Sequence, residues 1–200
     1  MNLWKSNKCT DWDAALEQYD AVIQAQGVRG LIEVDLWYRT ELPALIAART
    51  PAYVTRAELA QVTTWKMKRG VWRERNRLLV IGNSPSTIQK TSVRAFLAIP
   101  DLRQPITILS DLAGVGPATA SAVLASHSPA LYPFFDELVA QQIPHLGTVA
   151  FTAAYYQRYA KALRERAAKL NIRCEHRNWS AHNVSQALWA ASGGKAAQMD

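Results

Sequence analysis

Apolar residues recur along this chain at intervals of three and four positions, with polar residues between them. This spacing places apolar side chains on one face of an α-helix, whereas a β-strand would need alternation at every second residue. We find no convincing series of the second kind. The pattern therefore predicts an all-α fold, with helices at about residues 10–27, 33–48, 55–70, 73–80, 86–97, 105–112, 117–126, 152–170 and 180–189.

Several of these helices carry boundary signals. Thr55 and Glu58 have the spacing of a capping box, in which each side chain accepts a hydrogen bond from the other residue's backbone N–H. Gly70 is placed to end that helix, and Ser180 is a typical N-cap for the last one. Pro43 lacks the N–H that a helix interior needs, so we expect it to kink or divide its helix.

The segment 112–125 has two glycines placed where a tight turn must join two helices. Gly114 stops the preceding helix, and Gly116 followed by Pro117 starts the next one. Backbone N–H groups of Gly114, Gly116 and Ala118 would then lie beside a helix N-terminus, where a phosphate can approach closely. The pattern is typical of a helix-hairpin-helix that binds the DNA backbone. The alternative interpretation is a turn that needs glycine only for close packing.

The string Leu112-Ala-Gly-Val-Gly-Pro-Ala-Thr-Ala120 resembles the hairpin signature of the HhH-GPD superfamily of base-excision DNA glycosylases. In that superfamily an essential aspartate follows about eighteen residues after the position that carries lysine in members with lyase activity. The lysine position here is Ala118, and the aspartate position is Asp136 within residues 133–138. The resemblance implies that the hairpin residues contact DNA, namely Gly114, Val115, Gly116, Ala118 and Thr119.

The resemblance covers about residues 109–139 and departs from the superfamily after the aspartate. Glu137 and Leu138 stand where the superfamily usually has a small or polar residue followed by Asn, Gly or His. Glu137 is therefore an alternative candidate for the catalytic acid. A further similarity, to a little-characterised eukaryotic group, rests on residues 65–70 and 114–121.

The superfamily resemblance also implies an architecture and a reaction. It implies a two-lobed fold in one domain, with one lobe at about 10–60 plus 150–192, a second at about 61–149, and a flexible tail at 193–200. Since Ala118 cannot form a Schiff base, any activity would be monofunctional hydrolysis of the N-glycosidic bond. A structural monovalent cation would be held by the backbone carbonyls of Ser110, Leu112 and Val115.

The densest positive charge lies in residues 66–77, where six basic residues face only one acid, Glu74. From this block we predict DNA phosphate contacts by Lys66, Lys68, Arg69 and Arg73. Trp65 and Trp72 interleave with the block and suit a base-stacking surface, although the hydrophobic core is the favoured location for both.

Composition agrees with a polyanionic partner, since the formal net charge of the 200 residues is +7. Two isolated cysteines, Cys9 and Cys174, are expected to be free thiols, and they are too few for an iron–sulfur cluster. The chain has no apolar run long enough for a membrane span, and its polar start lacks a signal-peptide core. We therefore expect a nuclear or cytoplasmic monomer that binds double-stranded DNA.

Two remaining observations leave alternatives open. Asp35, near Trp37, either lines a pocket or is a buried, hydrogen-bonded acid. The four histidines lack the spacing of metal ligands, so ordinary polar roles are expected for them. For function, the alternatives to a glycosylase are a catalytically inactive helix-hairpin-helix DNA-binding protein and, second, a protein-interaction scaffold.

Overall fold

The structure is a computed structural model that describes residues 2–195. Within that range the chain is all-α and forms no strand, as the apolar spacing predicts. A short 3-10 helix at Leu3–Lys5 precedes α1 (Cys9–Glu17), α2 (Tyr19–Ala25), α3 (Leu31–Ala47), α4 (Arg56–Arg69), α5 (Glu74–Gly82), α6 (Pro85–Leu97), α7 (Gln104–Leu109), α8 (Pro117–His127), α9 (Glu137–Ala140), α10 (Ala153–Arg173) and α11 (Ala181–Ala191).

The predicted caps form as expected. At the start of α4, Thr55 Oγ1 accepts from the Glu58 N–H at 3.2 Å, and Glu58 Oε2 accepts from the Thr55 N–H at 2.8 Å. Ser180 caps α11 by accepting from the Asn183 N–H at 3.0 Å. Pro43 does not divide α3, which continues past it with Ile46 fully buried. Packing of the helix against the core thus outweighs the loss of one backbone hydrogen bond.

Helix α8 lies at the centre of the fold, packed against α3, α4 and α7. Nine consecutive residues of α8, from Ala118 to Ser126, are buried, and most of them are alanine, serine or threonine. Small side chains let neighbouring helices approach closely, and the Tyr38 hydroxyl of α3 reaches the Ala122 carbonyl at 2.7 Å. This central packing fixes the position of the N-terminus of α8.

The two ends of the chain pack together, because α11 lies against α1, α2 and α10. Cys9 at the start of α1 is joined by a disulfide to Cys174 after the end of α10, with their Cα atoms 5.7 Å apart. The prediction of two free thiols is therefore wrong. The pairing spans 165 positions of sequence and results from helix packing, so neither cysteine carries a local signal for it.

Part of the predicted tail is packed in the described structure. The Gly193 carbonyl accepts from the Gln26 side-chain amide at 3.1 Å, and Gly194 is buried beside Trp189. Residues 196–200 lie outside the described residues. Between residues 2 and 195, no helix combines the length and the apolar character needed to cross a membrane.

Candidate functional site

A cleft of about 550 Å³ opens where the N-terminus of α8 meets the end of α4 and the segment that precedes α9. Its volume falls within the range of small-molecule and cofactor sites. The lining residues are Lys66, Arg69, Gly70, Val71, Arg73, Asn76, Gly116, Pro117, Ala118, Thr119, Phe134, Phe135, Asp136, Glu137, Leu138, Gln141, Phe151 and Lys195.

The turn between α7 and α8 is fixed on α5 by close packing. Gly114 has φ +78°, and a Cβ added there would lie 2.5 Å from the Asn76 carbonyl oxygen and 2.9 Å from the Leu79 Cβ. Asn83 also bonds to both backbone groups of Ala113, donating at 2.9 Å and accepting at 3.0 Å. Gly114 therefore satisfies both a backbone conformation and a packing requirement, and it is absent from the cleft lining.

Gly116 differs from Gly114 in each respect. It has φ −100°, it is exposed, and a Cβ added there would meet no atom within 4 Å. Among the described residues, the backbone N–H groups of Gly116, Ala118 and Thr119 have no hydrogen-bond partner. All three residues contribute to the cleft lining, although Ala118 and Thr119 are buried, so unpaired donors and the positive end of the helix dipole lie at the cleft wall.

The segment that carries Asp136 is held from both sides by buried hydrogen bonds. The Phe135 N–H donates to the Ser121 hydroxyl of α8 at 2.9 Å, and the Tyr159 hydroxyl of α10 donates to the Phe134 carbonyl at 2.7 Å. These bonds explain how Asp136 reaches the same cleft as Ala118, eighteen positions earlier.

The Asp136 carboxylate lies in the cleft wall with its side chain 11% exposed. Its Oδ1 accepts from the Leu138 N–H at 2.9 Å, so Asp136 is the N-cap of α9. Its Oδ2 lies 3.5 Å from the Arg69 guanidinium. Burial raises the pKa of Asp136, while the Arg69 charge and the backbone donors oppose that rise. Glu137 is exposed beside it.

Arg69 is buried, contrary to its prediction as a DNA phosphate contact. Its side chain is 3% exposed, and it donates to the Tyr19 hydroxyl at 2.9 Å as well as lying beside Asp136. The guanidinium lies 4.1 Å from the Trp189 ring centroid and 5.0 Å from that of Trp65. Aromatic faces and a carboxylate thus stabilise a cation that the core would otherwise exclude.

The other three residues predicted to contact DNA phosphates, Lys66, Lys68 and Arg73, lie in two different places. Lys66 and Arg73 line the cleft, and Arg73 is exposed. Lys68 lies outside the cleft lining and donates to the Arg29 backbone carbonyl. Burial and the nearby charge of Arg73 lower the pKa of Lys66.

The two tryptophans of the basic block also separate. Trp65 is fully buried, stacks on Tyr38 with ring centroids 3.7 Å apart, and donates to Asp35 at 2.8 Å. Trp72 is 50% exposed and donates to Glu74 at 3.1 Å, so its favoured location in the core is wrong. The chain leaves α4 at Gly70, which carries the following residues away from the core.

A buried polar network lies behind Arg69. Asp35 is fully buried and accepts from the Tyr19 hydroxyl at 2.9 Å, the Trp65 indole at 2.8 Å and the Arg39 Nε at 2.8 Å. The interpretation of Asp35 as a buried, hydrogen-bonded acid is therefore confirmed. Since Tyr19 bonds both Asp35 and Arg69, the network continues to the Asp136 carboxylate.

Aromatic side chains of the cleft were missed by the sequence interpretation. Phe151 is 50% exposed and packs on Phe135, with ring centroids 5.0 Å apart. Nothing in its local sequence indicates a site, because Phe151 reaches the cleft through the loop before α10. An exposed aromatic face in a cleft can stack on a planar ligand.

The carbonyls proposed for a monovalent cation lie in the turn between α7 and α8. The Leu112 carbonyl accepts from the Val115 N–H at 3.1 Å, and the buried Ser110 hydroxyl has no partner among the described residues. The Ser110 hydroxyl oxygen is therefore free to serve as one more oxygen ligand of such a cation. Across residues 2–195, no cluster of three or more His, Cys, Asp or Glu side chains has the arrangement of a metal site.

No protein-family model, curated protein or solved structure matches this chain.

Proposed function

We propose that this chain is a helix-hairpin-helix DNA-binding protein of the HhH-GPD type that acts as a monofunctional base-excision DNA glycosylase. The observation that carries this proposal is the shared cleft of Asp136 and the N-terminus of α8. The sequence resemblance links these two features at a fixed interval, and they meet in a cavity of suitable size for a nucleobase.

The proposed binding mode uses the hairpin and the basic rim together. The unpaired N–H groups of Gly116, Ala118 and Thr119 would bind a phosphate of duplex DNA. Lys66 and Arg73 supply further positive charge in the same lining. A damaged base would be rotated out of the duplex into the cleft, where the exposed face of Phe151 offers a stacking surface.

The proposed chemistry centres on Asp136. Cleavage of an N-glycosidic bond builds positive charge on the sugar, and a carboxylate fixed nearby stabilises that charge. The Leu138 N–H and Arg69 hold the Asp136 oxygens in position. Arg69 does not itself need to contact DNA, so we assign it a positioning role. Ala118 provides no amine, which supports hydrolysis without lyase chemistry at that position.

A second candidate is a catalytically inactive DNA-binding protein with the same cleft. The observation that favours it is the engagement of both Asp136 oxygens, one by the Leu138 N–H and the other by Arg69. A carboxylate held in this way and largely buried is also what a purely structural N-cap requires.

The test that separates these candidates combines excision and binding. The native chain is incubated with duplexes that each carry one damaged base, and alkali then cleaves any abasic site formed. The glycosylase proposal expects strand cleavage on at least one duplex after alkali, and none without it. Absence of cleavage on all duplexes, together with salt-dependent binding, would favour the inactive protein.

The binding arm has a matched pair of variants. Removing one phosphate-binding side chain should reduce the slope of log affinity against log salt by about 0.9 on duplex DNA. We expect Arg73→Gln, in the cleft rim, to show this reduction. Lys68→Gln should leave the slope unchanged, because Lys68 lies outside the lining and binds a backbone carbonyl. Equal slopes for the native chain and Arg73→Gln would remove the rim from the DNA interface.

A further inference from the structure

Helix α5 turns a largely apolar face toward solvent. At positions i, i+3, i+4 and i+7 this face carries Arg75, Leu78, Leu79 and Gly82. Leu78 is 57% exposed and Leu79 is 42% exposed, whereas Val80 on another side of the helix is fully buried. The helix therefore packs on the core through Val80 and leaves its two leucines uncovered.

This face borders a shallow groove of about 530 Å³, and Ala113 of the turn between α7 and α8 completes the groove lining. The Asn83 side chain donates to the Leu79 carbonyl at 3.0 Å and to the Ala113 carbonyl at 2.9 Å, so it joins the end of α5 to the turn. A Cβ added at Gly82 would meet no atom within 4 Å, so the space beside the helix is open. A partner therefore meets a groove that is already formed, which lowers the entropy cost of binding.

Arg75 gives the groove a positive charge. Glu74 is the one acid of α5, and it pairs with Arg77 at 2.5 Å. Within residues 2–195, the side chain of Arg75 forms no ion pair and no hydrogen bond. An exposed, unpaired arginine beside two exposed leucines is complementary to a ligand that has both carboxylate and apolar side chains.

We propose that the groove formed by Arg75, Leu78, Leu79, Gly82 and Ala113 binds an acidic amphipathic helix of a protein partner. Apolar side chains of that helix cover the two leucines, and one of its carboxylates pairs with Arg75. Helices pack against each other through residues at i, i+3, i+4 and i+7, which is the arrangement of this face. The inference goes beyond the proposed function and does not depend on it, since none of the five residues lines the cleft.

Two other occupants fit the groove less well. Duplex DNA accepts hydrogen bonds from arginine, but its phosphate backbone offers no apolar surface to cover the leucines. A second copy of this chain would bring the same face, which has no carboxylate to pair with Arg75. Segment 71–82 also carries three arginines against one glutamate, so two copies of it repel each other.

The experiment selects binders of the full native chain from a displayed library of random peptides of about 16 residues, roughly four helical turns. The most enriched peptide is synthesised and used as the probe. Its dissociation constant is measured, and its site is mapped from the backbone amide NMR signals that it shifts. We expect enriched peptides to have net negative charge and apolar residues at intervals of three and four. We expect the shifted signals to centre on Leu78, Leu79 and Ala113.

Matched variants test the two kinds of contact. Leu78→Asp removes an apolar contact and adds a negative charge, so it should weaken probe binding by about 10-fold or more. Leu97→Asp makes the same change at a leucine that is 76% exposed outside the groove, and it should keep native affinity. Arg75→Gln should weaken binding by about 2- to 5-fold at low salt. Thermal unfolding checks that each variant retains the fold.

Other results overturn the inference. These are enrichment of neutral or basic peptides, no enrichment at all, shifts confined to another part of the chain, or equal weakening by Leu78→Asp and Leu97→Asp. Self-association of the native chain that is lost in Leu78→Asp, measured by sedimentation, would assign the groove to a second copy. Shifts of the same signals by duplex DNA, with displacement of the probe, would assign it to DNA. Because excision is assayed separately at the cleft, failure of the peptide experiment leaves the proposed function standing.

Discussion

The segment 65–77, made of Trp65 and the basic block at 66–77, has a buried part and an exposed part that contain the same residue types. Trp65 and Arg69 lie in the core at the end of α4, whereas Trp72 and Arg73 lie on the surface after Gly70. The comparison teaches that charge density along a sequence does not identify a binding surface. Arg69, just before Gly70, pairs with Asp136 in the cleft wall, whereas Trp72 and Arg73, just after it, are exposed.

Burying the Arg69 charge costs desolvation free energy, which other contacts in the folded chain must offset. Arg69 places a cation among aromatic rings, where only Tyr19 and Asp136 supply polar contacts, and its Nε has no partner among residues 2–195. Desolvation of such a charge costs several kcal/mol, which the ion pair and the ring faces must offset. Loss of either partner should therefore affect stability far more than any change on the exposed part.

The largest expected effect is that of removing the buried charge. Arg69→Met leaves Asp136 and Tyr19 without their partner, and we expect a loss of about 3–5 kcal/mol in the free energy of unfolding. Arg73→Met makes the same change at an exposed position and should cost no more than about 0.5 kcal/mol. Urea unfolding monitored by circular dichroism measures both. Similar losses for the two variants would contradict the division between buried and exposed parts.

His182, a buried histidine that feels the charge of Arg69, should make the folded chain less stable in acid. Burial, with a smaller contribution from the Arg69 charge, lowers the pKa of His182 to about 4 in the folded chain, and its Nδ1 accepts from the Phe134 N–H at 3.4 Å. The unfolded chain, with an ordinary histidine pKa of about 6.5, binds the proton first. Stability is therefore retained above that value and falls as the pH drops toward 4, by about 3 kcal/mol.

The measurement is the free energy of unfolding between pH 7 and pH 4 for the native chain and two variants. His182→Gln should lower the slope of stability against pH, because it removes the titrating group. His176→Gln changes an exposed histidine that pairs with Asp13, and it should retain most of the native slope in this range. A native slope in His182→Gln would show that other groups account for the acid sensitivity.

The two glycines of the turn between α7 and α8 show the same contrast between a packed and an exposed position, with a smaller expected effect. Gly114→Ala places a Cβ against α5 at positive φ, and the left-handed conformation alone costs about 1–2 kcal/mol before any clash is relieved. Gly116→Ala meets no atom within 4 Å and has negative φ, so it should cost much less. Thermal unfolding of the two variants under identical conditions compares them. A greater loss of thermal stability for Gly116→Ala than for Gly114→Ala would contradict the assignment of Gly114 as the closely packed glycine.

The sequence predicts the elements with local signals and misses those that depend on distant packing. The capping box at Thr55, the cap at Ser180 and the restart at Pro117 all appear in the structure, because each is a short-range backbone effect. The break at Gln18 between α1 and α2 was not predicted, and neither was α9. The break at Gln18 has no side-chain cap, and α9 has only four residues, too few for an apolar period, although Asp136 caps it.

In the candidate site, too, features with a local sequence signal were predictable and features that depend on tertiary packing were not. The interval from Ala118 to Asp136 could be read from sequence, and the structure brings both residues to one cleft. The roles of Arg69 and Tyr19 could not be predicted from sequence, because a buried arginine within a basic run has the same local sequence as an exposed one. Phe151 was missed for the same reason, since only tertiary packing brings its loop to the cleft.

The most direct test of the central claim is a side-by-side assay of the native chain and Asp136→Asn. Asparagine keeps one oxygen that can accept from the Leu138 N–H, so the N-cap can survive, while an amide group replaces the oxygen beside Arg69 and the negative charge is lost. Thermal unfolding of the variant checks that the fold is retained. On any duplex that the native chain cuts, single-turnover excision by the variant should fall on the order of 100-fold or more, while duplex affinity is retained or increases. Equal excision rates for the two proteins would remove Asp136 from the mechanism and contradict the account.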